Sequence, residues 1–127
     1  MTFDKIGVQV PKILLPKEGT DMQKWAVIAC DQYTSDLGYW KRLEEQTEGS
    51  LSTLPLIFPE VYLEDDAAET RIAAINQKME QYLADGSLVE QQEGFILIDR
   101  KTCEVDSRKG LILALDLDQY DYNKGAQ

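Results

Sequence analysis

The sequence predicts an α/β or α+β fold, with a mixed sheet and a C-terminal antiparallel hairpin packed by two main helices. Three patterns carry that expectation. Residues 25–29 (WAVIA) are consecutive apolar residues bounded by polar ones, as in a strand covered on both faces. Ala68, Ile72, Ile75, Met79 and Leu83 recur at helical spacing. Residues 95–98 and 111–117 are strand-like runs separated by a polar segment, the layout of a hairpin.

Composition sets the frame for these elements. A hydrophobic fraction of 43% and a charged fraction of 28% suit a soluble chain able to bury a core of its own. The 23 acidic and 13 basic residues give a net charge of -10, a field that repels phosphate backbones, so direct nucleic-acid binding by this segment is not expected. No apolar run is long enough to cross a bilayer, and the N-terminus lacks the basic start and apolar stretch of a secretion signal. The expectation is a cytoplasmic protein without membrane contact, whose Cys30 and Cys103 are reduced.

Residues 1–23 contain Pro11, Pro16 and Gly19 between short apolar pieces. Proline removes a ladder donor and holds its predecessor extended, so an extended arm with at most one edge strand is predicted. After the strand at 25–29, Cys30 to Thr34 break the pattern. Ser35 or Asp36 then offers an acceptor to the free N–H groups of a helix over residues 36–47, with Trp40, Leu43 and Tyr39 on its apolar side.

In residues 50–64, SLSTLPLIFPEVYLE, Pro55 and Pro59 forbid a regular helix while Leu56, Ile57, Phe58, Val61 and Leu63 call for burial. A covered connector with a short strand satisfies both demands. Asp66 and Glu69 have capping-box spacing, and the helix they open should close near Asp85, where Gly86 can adopt a left-handed conformation. Its opposite side, including Arg71 and Lys78, reads as a solvated face. Leu88 and Val89 suit a brief extended piece. Alternation in the last strand puts Leu111, Leu113, Leu115 and Leu117 on one face.

The candidate site is the strand-to-helix turn, where Asp31, Tyr33, Thr34 and Ser35 supply a carboxylate and three hydroxyls near the positive end of a helix. That set suits a phosphate, a ribose or a small polar ligand, and helix capping with turn hydrogen bonds uses the same residues. Cys30 stands at the same turn, but the chain contains no histidine to activate it. Neither a GxGxxG nor a GxxxxGK[ST] loop occurs. Asp116 and Asp118 begin a calcium-loop-like stretch that fails at Tyr120, Asp121 and Gln127, and no metal site is predicted.

Residues 12–35 (KILLPKEGTDMQKWAVIACDQYTS), 52–64 (STLPLIFPEVYLE) and 110–127 (GLILALDLDQYDYNKGAQ) resemble, in order, the N-terminal part of the uncharacterised bacterial domain of unknown function (DUF) family 1015. The resemblance carries no established activity and identifies no cofactor, which stays unknown. It implies residues 1–127 as a single domain or as the N-terminal portion of a longer protein, the rest of which packs on it. In such longer members a histidine-rich segment of the form DGHHR, itself similar to a motif of ParB and sulfiredoxin-like proteins, follows the part matched here. Two function classes result. One is the N-terminal portion of an enzyme that binds a nucleotide or small phosphorylated ligand, with its catalytic residues beyond residue 127. The other is a non-catalytic acidic ligand-binding or interaction domain.

Lacking histidine and a phosphate loop, residues 1–127 alone should neither hydrolyse nor transfer phosphate from nucleotides with magnesium present. Turnover that survives repurification and is lost in Asp31→Ala would overturn this.

Overall fold

The computed structural model describes residues 3–120. The chain combines helices with short strand pairs, in the order β1 (Val8–Gln9), β2 (Leu14–Pro16), α1 (Met22–Trp25), α2 (Leu37–Thr47), α3 (Ala68–Ala84), β3 (Leu88–Glu90), β4 (Ile96–Arg100), β5 (Arg108–Ile112) and β6 (Ala114–Leu115). The mixed helix-and-strand class and the C-terminal antiparallel hairpin are therefore present. Among the described residues the strands form three separate two-stranded pairs, β1 with β6, β2 with β3 and β4 with β5, in place of the single mixed sheet expected. No helix there is long and apolar enough to cross a membrane.

The chain divides into two compact units. In Leu15–Val89, Trp25, Trp40, Leu54, Tyr62, Tyr82 and Leu88 are buried. Trp25, Tyr82 and Leu88 form one cluster, with Leu51, Leu56 and Met79 against it. The strand predicted at residues 25–29 does not form. Asp21 Oδ1 accepts from Gln23 N–H at 2.9 Å and opens a helical turn that contains Trp25. The Trp25 carbonyl then accepts from both the Thr53 N–H (2.9 Å) and the Thr53 hydroxyl (2.7 Å), which removes it from any strand ladder. An apolar run of this length does not by itself distinguish a strand from a packed irregular segment.

α2 begins where expected because Asp36 Oδ1 accepts from Tyr39 N–H at 2.9 Å. Asp36, and not Ser35, is the cap. Trp40 has 0% of its surface exposed, and its ring N–H donates to the Tyr33 carbonyl at 3.2 Å. The connector that follows carries two 3₁₀ turns, Leu54–Leu56 and Glu60–Tyr62, and no strand, since Pro55 and Pro59 leave local i→i+3 bonding as its regular option. It is a covered connector all the same, with Leu54, Pro59 and Tyr62 buried.

α3 runs nearly as predicted and closes at Asp85 and Gly86, whose φ is +74°. At its start, Asp65 in place of Asp66 supplies the side-chain acceptor, Oδ1 receiving Ala67 N–H at 3.0 Å. Its buried face is rotated by about one residue from the expected stripe. Ile72 and Leu83 are 50% and 47% exposed, whereas Tyr82 is buried and Arg71, Ile75, Lys78 and Met79 are half-buried. The Tyr82 ring fixes this rotation, stacking on Trp25 at 6.3 Å while its hydroxyl donates to the Ser52 carbonyl at 3.3 Å.

The second unit joins the chain up to Leu14 with the chain from Glu90 on. The N-terminal segment carries two short strands where at most one was expected. β1 pairs antiparallel with β6, Val8 opposite Leu115. Gly7 is buried with φ +68°, and a Cβ there would lie 3.2 Å from the Asp116 carbonyl, so this turn demands glycine. β4 and β5 pair antiparallel from Ile96 opposite Ile112 to Arg100 opposite Arg108. The strand predicted at residues 111–117 is divided at Leu113, its first part pairing with β4 and its second with β1, before a 3₁₀ turn at Leu117–Gln119.

Replacing Trp40 with alanine should lower unfolding stability by about 3–5 kcal/mol, whereas Ile72→Ala should cost less than about 1 kcal/mol. Urea denaturation of the two variants checks the burial of Trp40 on α2 and, through Ile72, the rotated face of α3.

Candidate functional site

The structure keeps Asp31, Tyr33, Thr34 and Ser35 together on the turn before α2, all exposed. Tyr33 is the only non-glycine residue with positive φ among the described residues, at +49°. Its ring stacks on Tyr39 at 4.2 Å with an interplanar angle of 17°, and its carbonyl accepts from both Asp36 N–H and the Trp40 ring. Asp31 accepts from its neighbour Gln32 at 3.3 Å. The turn thus positions α2 and presents its polar side chains to solvent. Cys30 and Cys103 are both free thiols.

A concave site lies in the same unit, and the sequence reading did not find it. A cavity of about 390 Å³ is bounded by α2, the connector and α3. α2 contributes Glu44 and Thr47, the connector a wall of Leu54, Pro55, Ile57, Phe58 and Tyr62, and α3 contributes Arg71, Ile75, Lys78 and Tyr82. The α3 residues fall at spacings of four, three and four, so they share one face. Ile75 belongs to the predicted apolar stripe, whereas Arg71 and Lys78 read from the sequence as part of a solvated face. The Cys30 carbonyl, which accepts from Glu60 N–H at 2.9 Å, links the candidate turn to the 3₁₀ turn that carries Tyr62.

Tyr62 organises the polar part of the cavity. Its hydroxyl donates to Glu44 Oε1 at 3.5 Å, a long bond, and the Arg71 guanidinium lies over its ring with Cζ 3.6 Å from the centroid. Burial, reinforced by the Glu44 carboxylate, raises the phenol above its ordinary value of 10.0, with the Arg71 cation opposing. Arg71 Nε lies 3.6 Å from Asp65 Oδ2, an ion-pair distance too long for a hydrogen bond, and Nε is shielded from solvent without an acceptor. Lys78 donates to Gln81 Oε1 at 2.9 Å and approaches the Tyr82 ring at 5.7 Å.

This arrangement can hold and orient a small molecule: a rigid apolar wall faces two cations, a neutral phenol and one carboxylate. It contains no thiol. Among the described residues no group of three or more histidine, cysteine, aspartate or glutamate side chains converges as metal ligands. Asp116, the first residue of the calcium-loop-like stretch, caps the last 3₁₀ turn, accepting from Asp118 N–H and from the Gln119 amide. Residues 121–127, the remainder of the calcium-like stretch, lie outside the described residues.

A family model described as "Protein of unknown function (DUF1015)" matches residues 14–125. No curated protein and no solved structure matches.

The Tyr62 shift has a definite sign. Because its folded-state pKa is raised, the neutral phenol's contribution to stability is complete below pH 10 and is lost as the pH climbs through the folded-state value. Tyr62→Phe cannot ionise, so its melting temperature should fall less steeply above pH 10 than that of the unaltered chain. Parallel slopes in thermal melts would assign the alkaline loss to other groups.

Proposed function

We propose a function from one premise, that this chain belongs to the DUF1015 family: it is the ligand-binding portion of a longer cytoplasmic enzyme. The ligand is a nucleotide or another small phosphorylated molecule, and the catalytic groups lie beyond residue 127. One observation carries the proposal. In a chain of net charge -10, the cavity sets Arg71 and Lys78 on one helix face against an apolar wall, and the shielded Arg71 Nε–H has no acceptor, so an anion finds a charged donor there that Glu44, held by the Tyr62 hydroxyl, leaves open. The absence of histidine from the sequence supports placing proton transfer elsewhere.

Asp31, Tyr33, Thr34 and Ser35 remain in the proposal as outer contacts, the exposed side of the Tyr33–Tyr39 stack offering a surface for a planar group. A second reading, a non-catalytic interaction domain, draws support from the hairpin. There Leu97 and Leu111, opposite each other, are 68% and 58% exposed.

Thermal-shift measurements against a nucleotide panel, with and without magnesium, separate the two readings. A ligand at 100 times its dissociation constant should stabilise the chain by about 2.7 kcal/mol. Ala74 also lines the cavity from α3, and Ala74→Phe, which puts a ring into that space, should abolish the shift. Silence across the panel would favour the interaction domain.

A further inference from the structure

The charges around the cavity restrict its ligand further, an inference that rests on the ligand-binding reading above. Arg71 is fixed by Tyr62, whose ring covers one face of the guanidinium. The donors of a guanidinium lie in its plane, so stacking leaves its N–H edge free to meet an acceptor. On that edge, Nε–H is cut off from water and has no hydrogen-bond acceptor. A shielded, unpaired donor is a standing cost that an incoming acceptor removes.

Asp65 is the nearest carboxylate and does not fill this role. One of its oxygens is held by the Ala67 N–H at 3.0 Å, and the other stops 3.6 Å from Nε. Both partners keep more than a third of their side-chain surface in solvent, so the pair is weak. The lining cations Arg71 and Lys78 are balanced by Glu44 in the lining and by Asp65 beside Arg71. A polyphosphate would bring several negative charges towards two carboxylates, whereas a single oxyanion can pair with Arg71 and leave Glu44 on the Tyr62 hydroxyl.

We propose that this cavity takes a ligand with one terminal oxyanion, a carboxylate or a phosphate monoester, on a compact apolar body. The oxyanion sits on the Arg71 Nε–H edge, and Asp65 is the internal carboxylate it displaces. The body lies against Leu54, Pro55, Ile57 and Phe58.

Three probes test this on the 127-residue chain: phenyl phosphate, phenylacetate and inorganic phosphate. The readout is the Arg71 Nε–H resonance in nitrogen–proton correlation spectra, assigned by its loss in Arg71→Lys. Either phenyl compound should shift it and slow its exchange with water, and the tighter of the two identifies the oxyanion. Inorganic phosphate, lacking the apolar body, should bind more weakly than phenyl phosphate. Arg71→Gln should weaken binding by roughly 10- to 100-fold, as expected for loss of a charged hydrogen-bond partner. Asp65→Asn keeps the oxygen that accepts from Ala67 N–H and should tighten binding about two- to fivefold by removing the competing charge.

A resonance unmoved by both phenyl compounds, or equal affinity in Arg71→Gln judged folded by its melting curve, would overturn the inference. If nucleotides still raise the melting temperature in that case, the ligand-binding reading survives without it. If they do not, both fall.

Discussion

Tyr82 ties together segments that are remote in sequence, and the Leu15–Val89 unit depends on it. Its ring stacks on Trp25 and packs in one cluster with Leu88, while its hydroxyl donates to the Ser52 carbonyl and lies 3.4 Å from the Ser52 N–H. A buried aromatic with a satisfied polar end specifies orientation as well as adhesion. Fixing Tyr82 sets the rotation of α3 about its axis, and that rotation sends Arg71, Ile75 and Lys78 to the cavity and Ile72 and Leu83 to solvent. The chemistry of the cavity is thus a consequence of how one tyrosine packs.

Much of the helical structure was legible because its signals are local. Asp36 sits where an N-cap is required, Trp40 and Leu43 follow at helical spacing, and Gly86 ends α3. The hairpin was legible from two strand patterns flanking a polar turn, where Asp99 accepts from the Ser107 hydroxyl and from Lys109. The bond from Ser107, then that from Lys109, holds the Asp99 carboxyl below its ordinary value.

What escaped the sequence is decided by partners distant along the chain. Trp25 begins an apolar run equally compatible with a strand, and only the capture of its carbonyl by Thr53 commits it to the end of a helical turn. Leu113 divides one alternating pattern between two strand partners, a choice that alternation cannot encode. Of the site, the turn at Asp31, Tyr33, Thr34 and Ser35 was visible as a polar cluster. The cavity was not, since cations such as Arg71 and Lys78 on a helix normally indicate solvent. An arginine over an aromatic ring, or a lysine whose ammonium lies over one, can be a wall residue while keeping its charge.

The turn around Gly7 bears on the order of folding. The Gly7 carbonyl accepts from Asp116 N–H at 2.8 Å, and the Ile6 carbonyl accepts from the Tyr120 hydroxyl, also at 2.8 Å, across 114 positions of sequence. Bringing such remote segments together carries a closure entropy that grows with the length of free chain between them. Within Leu15–Val89, the bond from Lys17 N–H to the Ser87 carbonyl already fixes the two places where the chain enters and leaves that unit. Once that bond stands, the loop still to be closed is short. Closure entropy therefore favours forming the Gly7 turn after the Lys17–Ser87 bond, when the chain between Gly7 and Asp116 is no longer entirely free.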